Sequence, residues 1–308
     1  MIVMKFGGTS VGTADRLRAA CKLVKTRIKE MPFVVVSAHN SPTCRMTDTL
    51  IDCGKKALQG APDPSRVIQL QRGVCKDLGI DSRLVAPLLD EFSGLLHGIA
   101  MIQELSLRTM DLLMSFGERM SMLVFNETMR KEFGVDMKCA TSFDLGLRTD
   151  GHHGSAQPDP SSYPAIARAV EDLRAEAFVT TGFLGQGPDG HITTLGRGGS
   201  DYSGTIFGAA LGAKEVQIWT DVNGVMSADP SVCKTAKSIP VLSFMEASEL
   251  AYYGAKVVHP STMIPAVKAK IPIRVLNTYR PEHPGTVILD RAPRSKDGVK
   301  SIAYRSHL

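Results

Sequence analysis

The sequence predicts an α/β fold on a parallel sheet. Short apolar runs read as buried strands, helix-length segments lie between them, and Gly-rich turns join the two. Strands joined through helices form β-α-β units, which require parallel pairing. The first unit is a strand at 2–6, a segment of helical spacing at 15–29 and a strand at 33–36. Residues 64–133 read mostly as helix, with Leu84, Leu88, Leu95, Ile99 and Ile102 at three- and four-residue steps, and predict a helical layer or lobe. Residues 151–163, rich in Gly, Ser, Asp and Pro, read as a loop that fits a boundary between two lobes or a long surface loop equally well. Strands at 177–181, 191–195, 215–220 and 271–276 then alternate with helices at 205–211 and 245–256.

With 308 residues the chain is long enough for one large or two medium domains, and 43% hydrophobic against 22% charged residues marks a folded protein. The formal charge of +5 is spread without a block of like charges, so neither a nucleic-acid partner nor a membrane surface is expected. No run approaches the ~20 apolar residues of a membrane span, and Lys5 breaks the apolar start in a way a signal peptide would not. Six scattered cysteines (Cys21, Cys44, Cys53, Cys75, Cys139, Cys233) without a Cys-x-x-Cys pair point to reduced thiols in a cytoplasmic protein. The histidines lack metal-ligand spacing, so no metal-binding residue is expected, and there is no Gly-x-Ser-x-Gly elbow.

Four motifs have chemical content. Lys5-Phe6-Gly7-Gly8-Thr9-Ser10 ends a strand with two glycines and a lysine, which fits a phosphate cradle and fits a tight turn equally well. It is not a Walker loop, since the lysine precedes the glycines. Leu195-Gly196-Arg197-Gly198-Gly199-Ser200-Asp201-Tyr202-Ser203-Gly204 is denser in chemistry than a turn requires. Arg197 offers a planar fork for a carboxylate or phosphate, while Asp201 suits a helix cap or an ammonium group. Trp219-Thr220-Asp221-Val222-Asn223-Gly224-Val225 closes a strand, where α/β sheets bind ligands, although Asn223-Gly224 is also an ordinary turn signal. Ser115-Phe116-Gly117-Glu118-Arg119 sets a glycine and an acid in a helical region, and by itself reads more simply as a charge pair on a solvated helix.

Together with Tyr253-Gly254-Ala255-Lys256-Val257-Val258-His259-Pro260, these motifs resemble the catalytic domain of the aspartate kinases, in family order from Lys5 to about Thr286. The resemblance implies the amino-acid-kinase fold, about eight largely parallel strands sandwiched by helices in two lobes. It also implies transfer of the γ-phosphoryl of ATP, with Mg2+ held mainly by the phosphates, to the side-chain carboxylate of L-aspartate. Kinases of another carboxylate or carbamate acceptor, and a weakly catalytic nucleotide-binding subunit, are the alternatives. By position, Lys5 matches the lysine that stabilises the transferred group, Gly7 and Gly8 its backbone donors, and Asp201 the acid that orients Lys5 or the substrate ammonium. Arg197 matches the arginine on the substrate carboxylate and Glu118 the acid on its amino group. Ser37, Thr47, Phe183 and Ser200 line the pocket, and Thr220, Asp221, Met226, Lys256 and Val257 fall on the nucleotide side. The family also implies a homodimer.

Three departures stand out. The stretch from Ser37 to Asp48 is expanded relative to the family, Met226 replaces an aromatic that packs on the nucleotide, and Ser231 replaces an arginine near the phosphates. Typical relatives continue into paired ACT domains that bind lysine or threonine. Ending where that extension would begin, the chain is expected to hold a catalytic domain at 1–290 and a tail at 291–308, with no ACT domains and no feedback control.

Overall fold

The computed structural model describes residues 1–229, 232–253, 258–293 and 300–302. Its main sheet contains β1 (Ile2–Phe6), β2 (Pro32–Val36), β3 (Lys138–Cys139), β4 (Phe178–Thr181), β7 (Val216–Thr220), β8 (Val241–Ser243), β9 (Ile273–Asn277) and β10 (Thr286–Leu289), in the order β3-β4-β2-β1-β7-β9-β10-β8. Every neighbouring pair is parallel except β9 with β10. A separate antiparallel pair, β5 (Leu184–Gln186) and β6 (Ile192–Thr194), stands beside the sheet.

Every residue of β1 and β2 is buried because helices cover both faces, the pattern expected of a parallel sheet. Alternate side chains divide between two cores. Ile2, Met4, Phe6, Val34 and Val36 pack on α1 (Ala14–Thr26), α2 (Met46–Leu58), α3 (Ser65–Asp77), α4 (Ala86–Ile102) and α5 (Leu107–Phe133). Val3, Phe33 and Val35 pack on α6 (Ser162–Leu173), α7 (Gly199–Ala210), α8 (Phe244–Tyr252) and α9 (Pro260–Ala269). Lys5 shares the second face, where its stem passes Gly204 of α7. A Cβ on that glycine would lie 3.3 Å from the Lys5 Cβ.

The expected strands and parallel pairing are present, and one sheet runs through both halves of the chain. Several boundaries differ from the sequence reading. Residues 64–133 hold three helices, and α2 precedes them. Helix α7 begins at Gly199 rather than 205, which puts Ser200 and Asp201 in its first turn. Helix α5 runs unbroken through Gly117, and the 151–163 loop gives way to α6 at Ser162. Short strands β3, β5, β8 and β10 were not signalled because two to four residues show no period. The expected helix at 245–256 is described only as α8, and residues 254–257 lie outside the described residues.

Candidate active site

At β1 the chain leaves the sheet on one side toward β2 and returns on the other as β7, so the carboxyl ends of these strands border the crevice where α/β sheets bind ligands. A cavity of 280 Å3 lies there. It is lined by Lys5, Gly8, Ser37, Thr47, Glu118, Phe183, Ser200 and Asp201, so eight of the predicted residues meet in one place.

Lys5 projects from β1 toward the first turn of α7, where its Nζ lies 2.5 Å from Asp201 Oδ1, with both side chains mostly buried. The glycines after β1 have different tasks. The Gly7 N–H donates to the Trp219 carbonyl at 3.1 Å and extends the sheet, whereas Gly8 lines the cavity. Gly8 must lack a side chain, because a Cβ would lie 2.6 Å from the Ala38 carbonyl oxygen. Among the pair, Gly8 is therefore the one placed to meet an anion.

Glu118 sits in the middle of α5, only 4% exposed. Gly117 permits the approach, since a Cβ there would lie 2.8 Å from the Ala38 Cβ. Glu118 Oε1 accepts from the Ala38 N–H at 3.2 Å, while Oε2 is buried without a partner. Burial pushes the carboxyl up to about 8, and the Ala38 N–H and Lys5 offset only part of that. Its neighbour Arg119 pairs with Glu91 at 2.9 Å instead, so the helix-surface charge pair read from the sequence does not form.

The stretch after β2 folds into a small turn. Asn40 bridges Arg45, the Ser41 N–H donates to the Cys44 carbonyl at 2.8 Å, and the Ser41 hydroxyl accepts from the Cys44 N–H at 3.0 Å. Helix α2 then begins, and Thr47 reaches the cavity. On the far wall Phe183 has a left-handed backbone (φ +67°), which costs a non-glycine residue about 1–2 kcal/mol. The Ser203 hydroxyl accepts from its N–H at 2.9 Å, and the ring lies where a Cβ on Gly199 would be, 2.5 Å from it.

Arg197 is exposed in the turn before α7, and its side chain does not line the cavity. Thr220, Asp221 and Met226 lie apart from it as well. Thr220 donates to Asp221 at 3.2 Å at the end of β7, and Met226 is half-buried in the following segment. A second hollow of 490 Å3 shares Asn40 and Arg45 with the cavity and is bounded also by Thr9, Arg16 and Asp221. Lys256, Val257 and Ser231 lie outside the described residues.

The sequence reading assigned no role to His39, Asn40 or Arg45, which also line the cavity. His39 is fully buried, with Nδ1 2.7 Å from the Val11 carbonyl oxygen, and burial lowers its pKa. As a neutral ring it donates to that carbonyl and ties the glycine turn to the β2 loop. A lone histidine at a strand end carries no sequence signal for this.

No group of three His, Cys, Asp or Glu side chains placed to hold a metal occurs among the described residues. No described helix is long and apolar enough to cross a membrane. The six cysteines are free, four of them buried.

Comparison with known proteins finds relatives over nearly the whole chain. Aspartokinase 1 of Arabidopsis thaliana, a chloroplastic protein, is 39% identical over 99% of this chain and 55% of its own length. Aspartokinase III of Escherichia coli, solved in complex with aspartate and ADP, is 33% identical with a TM-score of 0.79, over 95% of this chain and 65% of that one. Aspartate kinase of Clostridium acetobutylicum is 26% identical with a TM-score of 0.81, over 98% of this chain and 66% of that one. The chain thus spans little more than half the length of the plant relative it matches. The characteristic pattern of the amino acid kinase family matches residues 1–277, and with the parallel sheet and strand-end cavity described above, the chain belongs to that family.

Proposed function

We propose that the chain transfers the γ-phosphoryl group of MgATP to the side-chain carboxylate of L-aspartate, giving 4-phospho-L-aspartate and ADP. The observation that carries this reading is Glu118, a buried acid with one unpartnered oxygen in the cavity that also holds the Lys5–Asp201 pair. A free amino acid brings an ammonium group that satisfies that oxygen, and its negative end then lies toward Lys5.

A carboxylate oxygen of the acceptor attacks the γ-phosphorus, one P–O bond forms, and the bond to the β–γ bridging oxygen breaks with its electrons leaving on ADP. The nucleophile is already ionised, so no general base is needed. The residues have to bring two anions together and stabilise charge on the transferring group, and positioning and electrostatics supply most of such catalysis. Lys5 and the Gly8 amide supply positive ends beside the reacting oxygens, and Asp201 fixes the Lys5 ammonium. Thr220, Asp221, Met226, Lys256 and Val257 are assigned to the nucleotide, with Gly7 holding the turn beneath it. Ser37, Thr47, Phe183, Ser200 and Arg197 are assigned to the amino acid, which requires Arg197 to swing inward on binding. The described donor set contains no ready cation cage, which suits Mg2+ delivered on the triphosphate and held by its oxygens. The same reading has the protein acting in the cytoplasm as a homodimer.

The test is ADP release with aspartate, together with trapping of the acyl phosphate by hydroxylamine. Aspartate-dependent hydroxamate is expected. Folded protein that forms none, or that prefers another carboxylate or carbamate acceptor, overturns the reading.

A further inference from the structure

A second acid on α5 lies outside the cavity and has no part in the mechanism above. Asp111 is seven residues before Glu118, two turns back along roughly the same side of the helix, and its side chain is fully buried. Three groups converge on its carboxylate. His153 Nδ1 lies 2.7 Å from Oδ2, the Gly154 N–H donates at 3.0 Å to Oδ2 and 3.2 Å to Oδ1, and the Thr194 hydroxyl donates at 2.6 Å to Oδ1. Two of these groups come from the 151–157 loop and the third from the end of β6. The loop and strand are also joined directly, as the Ala156 N–H donates to the Thr194 carbonyl at 2.9 Å.

Two residues beyond Thr194 the chain reaches Gly196, which has φ +74° and lies directly against the clamped loop. A Cβ there would be 3.2 Å from the Gly154 carbonyl oxygen and 3.4 Å from the Ser155 Cα. The Gly196 carbonyl in turn accepts from the N–H of Gly199, the first residue of α7, at 2.9 Å. The path is therefore continuous from the Asp111 carboxylate, through Gly154 and Thr194, to the turn that carries Arg197 and leads into Ser200.

We propose that Asp111, acting with His153 through the 151–157 loop, is a positioning residue that sets the place of the Gly196–Gly198 turn and thereby the affinity for the acceptor's α-carboxylate. It touches no reacting atom. The inference rests on the reading of the acceptor as a free amino acid held by Arg197 and Ser200. Arg197 is exposed and must be delivered from a fixed base, and the clamp supplies that base.

The experiment uses the full chain with Asp111→Asn, His153→Ala and His153→Asn, measured by steady-state kinetics and by hydrogen exchange of the backbone amides. Asp111→Asn is expected to raise KM for aspartate ~10-fold or more while KM for ATP and kcat change less than about threefold, because the misplaced group acts in acceptor binding. Exchange should quicken at the Ala156 amide and also at Gly199. His153→Ala should show the same split in weaker form. His153→Asn, whose amide N–H can take the place of Nδ1–H, should restore most of it. KM values that rise together, or a loss of stability with unchanged KM for aspartate, overturn the proposal. If Asp111→Asn does not fold, the two loop variants decide the matter, and equal KM values in both overturn it. Wild-type protein that makes no acyl phosphate from aspartate sinks the acceptor reading instead. In that event exchange alone tests the clamp, and quickening confined to 154–156, without Gly199, overturns it.

Discussion

On the side of the site assigned to the acceptor, the charged groups other than Arg197 are buried and held in place. Lys5 is fixed to Asp201, Glu118 is fixed by the Ala38 N–H, and the glycines between them are close-packed against neighbouring backbone. On the Thr220–Asp221 side, Asp221 is exposed, and the segment after it is held by side chains from later in the chain. Asn277 donates to Asn223 at 2.7 Å, the Thr286 hydroxyl accepts from the Val225 N–H at 2.8 Å, and the Ser301 hydroxyl donates to the Ser227 carbonyl at 3.0 Å. One side keeps its charges in the interior, and the other leaves Asp221 exposed ahead of a segment held by buried and half-buried hydrogen bonds. Substitutions should therefore cost most on the acceptor side and least on the other.

The sharpest way to break this contrast is the Lys5–Asp201 pair. Lys5→Ala and Asp201→Ala are each expected to lower kcat at least ~100-fold, about 2.7 kcal/mol of barrier. Lys5→Ala removes charge from the transferring group and leaves Asp201 without its partner, while Asp201→Ala frees the ammonium to move. Measured turnover within a few-fold of wild type in both would show that the pair is structural.

Glu118→Gln comes next, and it separates binding from stability. The folded carboxyl titrates near 8 and the unfolded one near its ordinary value of 4.5, so across that window the unfolded chain gives up a proton that the folded chain keeps. Stability from this group is thus fully present below about 4.5, falls as pH rises, and stops falling above about 8. Thermal melts should show wild type losing stability relative to Glu118→Gln from pH 5 to 8, and a constant difference would refute the burial argument. An ammonium beside Glu118 favours the carboxylate form. Aspartate binding at pH 7 should therefore release about one proton in wild type and none in the variant, as seen by calorimetry in buffers of different ionisation enthalpy. KM for aspartate should rise ~10-fold or more, since a charge-assisted contact is lost.

A smaller effect is expected where the two loops close-pack. A Cβ on Gly12 would lie 2.0 Å from the Asn40 carbonyl oxygen, so Gly12→Ala must push apart the glycine turn and the β2 loop. Overpacking of this kind costs about 1–3 kcal/mol, and chemical denaturation should show it together with a fall in kcat. An unchanged midpoint would mean that the loops are free to separate.

These contrasts also explain what could be read from the sequence. Strands such as Ile2–Phe6 and Val216–Thr220 were legible because burial leaves them rich in apolar residues despite Lys5 and Gln217, and the chemistry at their ends was legible because Gly, Lys and Asp are conspicuous there. The position of α7 was not, because Gly198-Gly199-Ser200 reads as a loop when nothing in the sequence shows that Phe183 packs where a Gly199 side chain would be. Glu118 looked like a surface charge because its burial depends on the approach of Ala38, eighty residues away in the chain. His39 and the Asp111 network were hidden for the same reason: their partners are distant in sequence, and no local pattern records them.

The least effect is expected from Met226, and it tests the open side directly. Met226 is half-buried in a segment whose backbone is fixed by the Ser238 bridge and by the Ser301 hydroxyl, which donates to the Met226 carbonyl at 3.2 Å. Met226→Tyr adds a ring that can stack on a purine, a contact of about 1 kcal/mol, and should lower KM for ATP by roughly fivefold. KM for aspartate should not change, because nothing in the acceptor cavity touches this segment. A KM for ATP that stays constant or rises would place the base elsewhere. A matching change in KM for aspartate would show that the two sides of the site respond as one body.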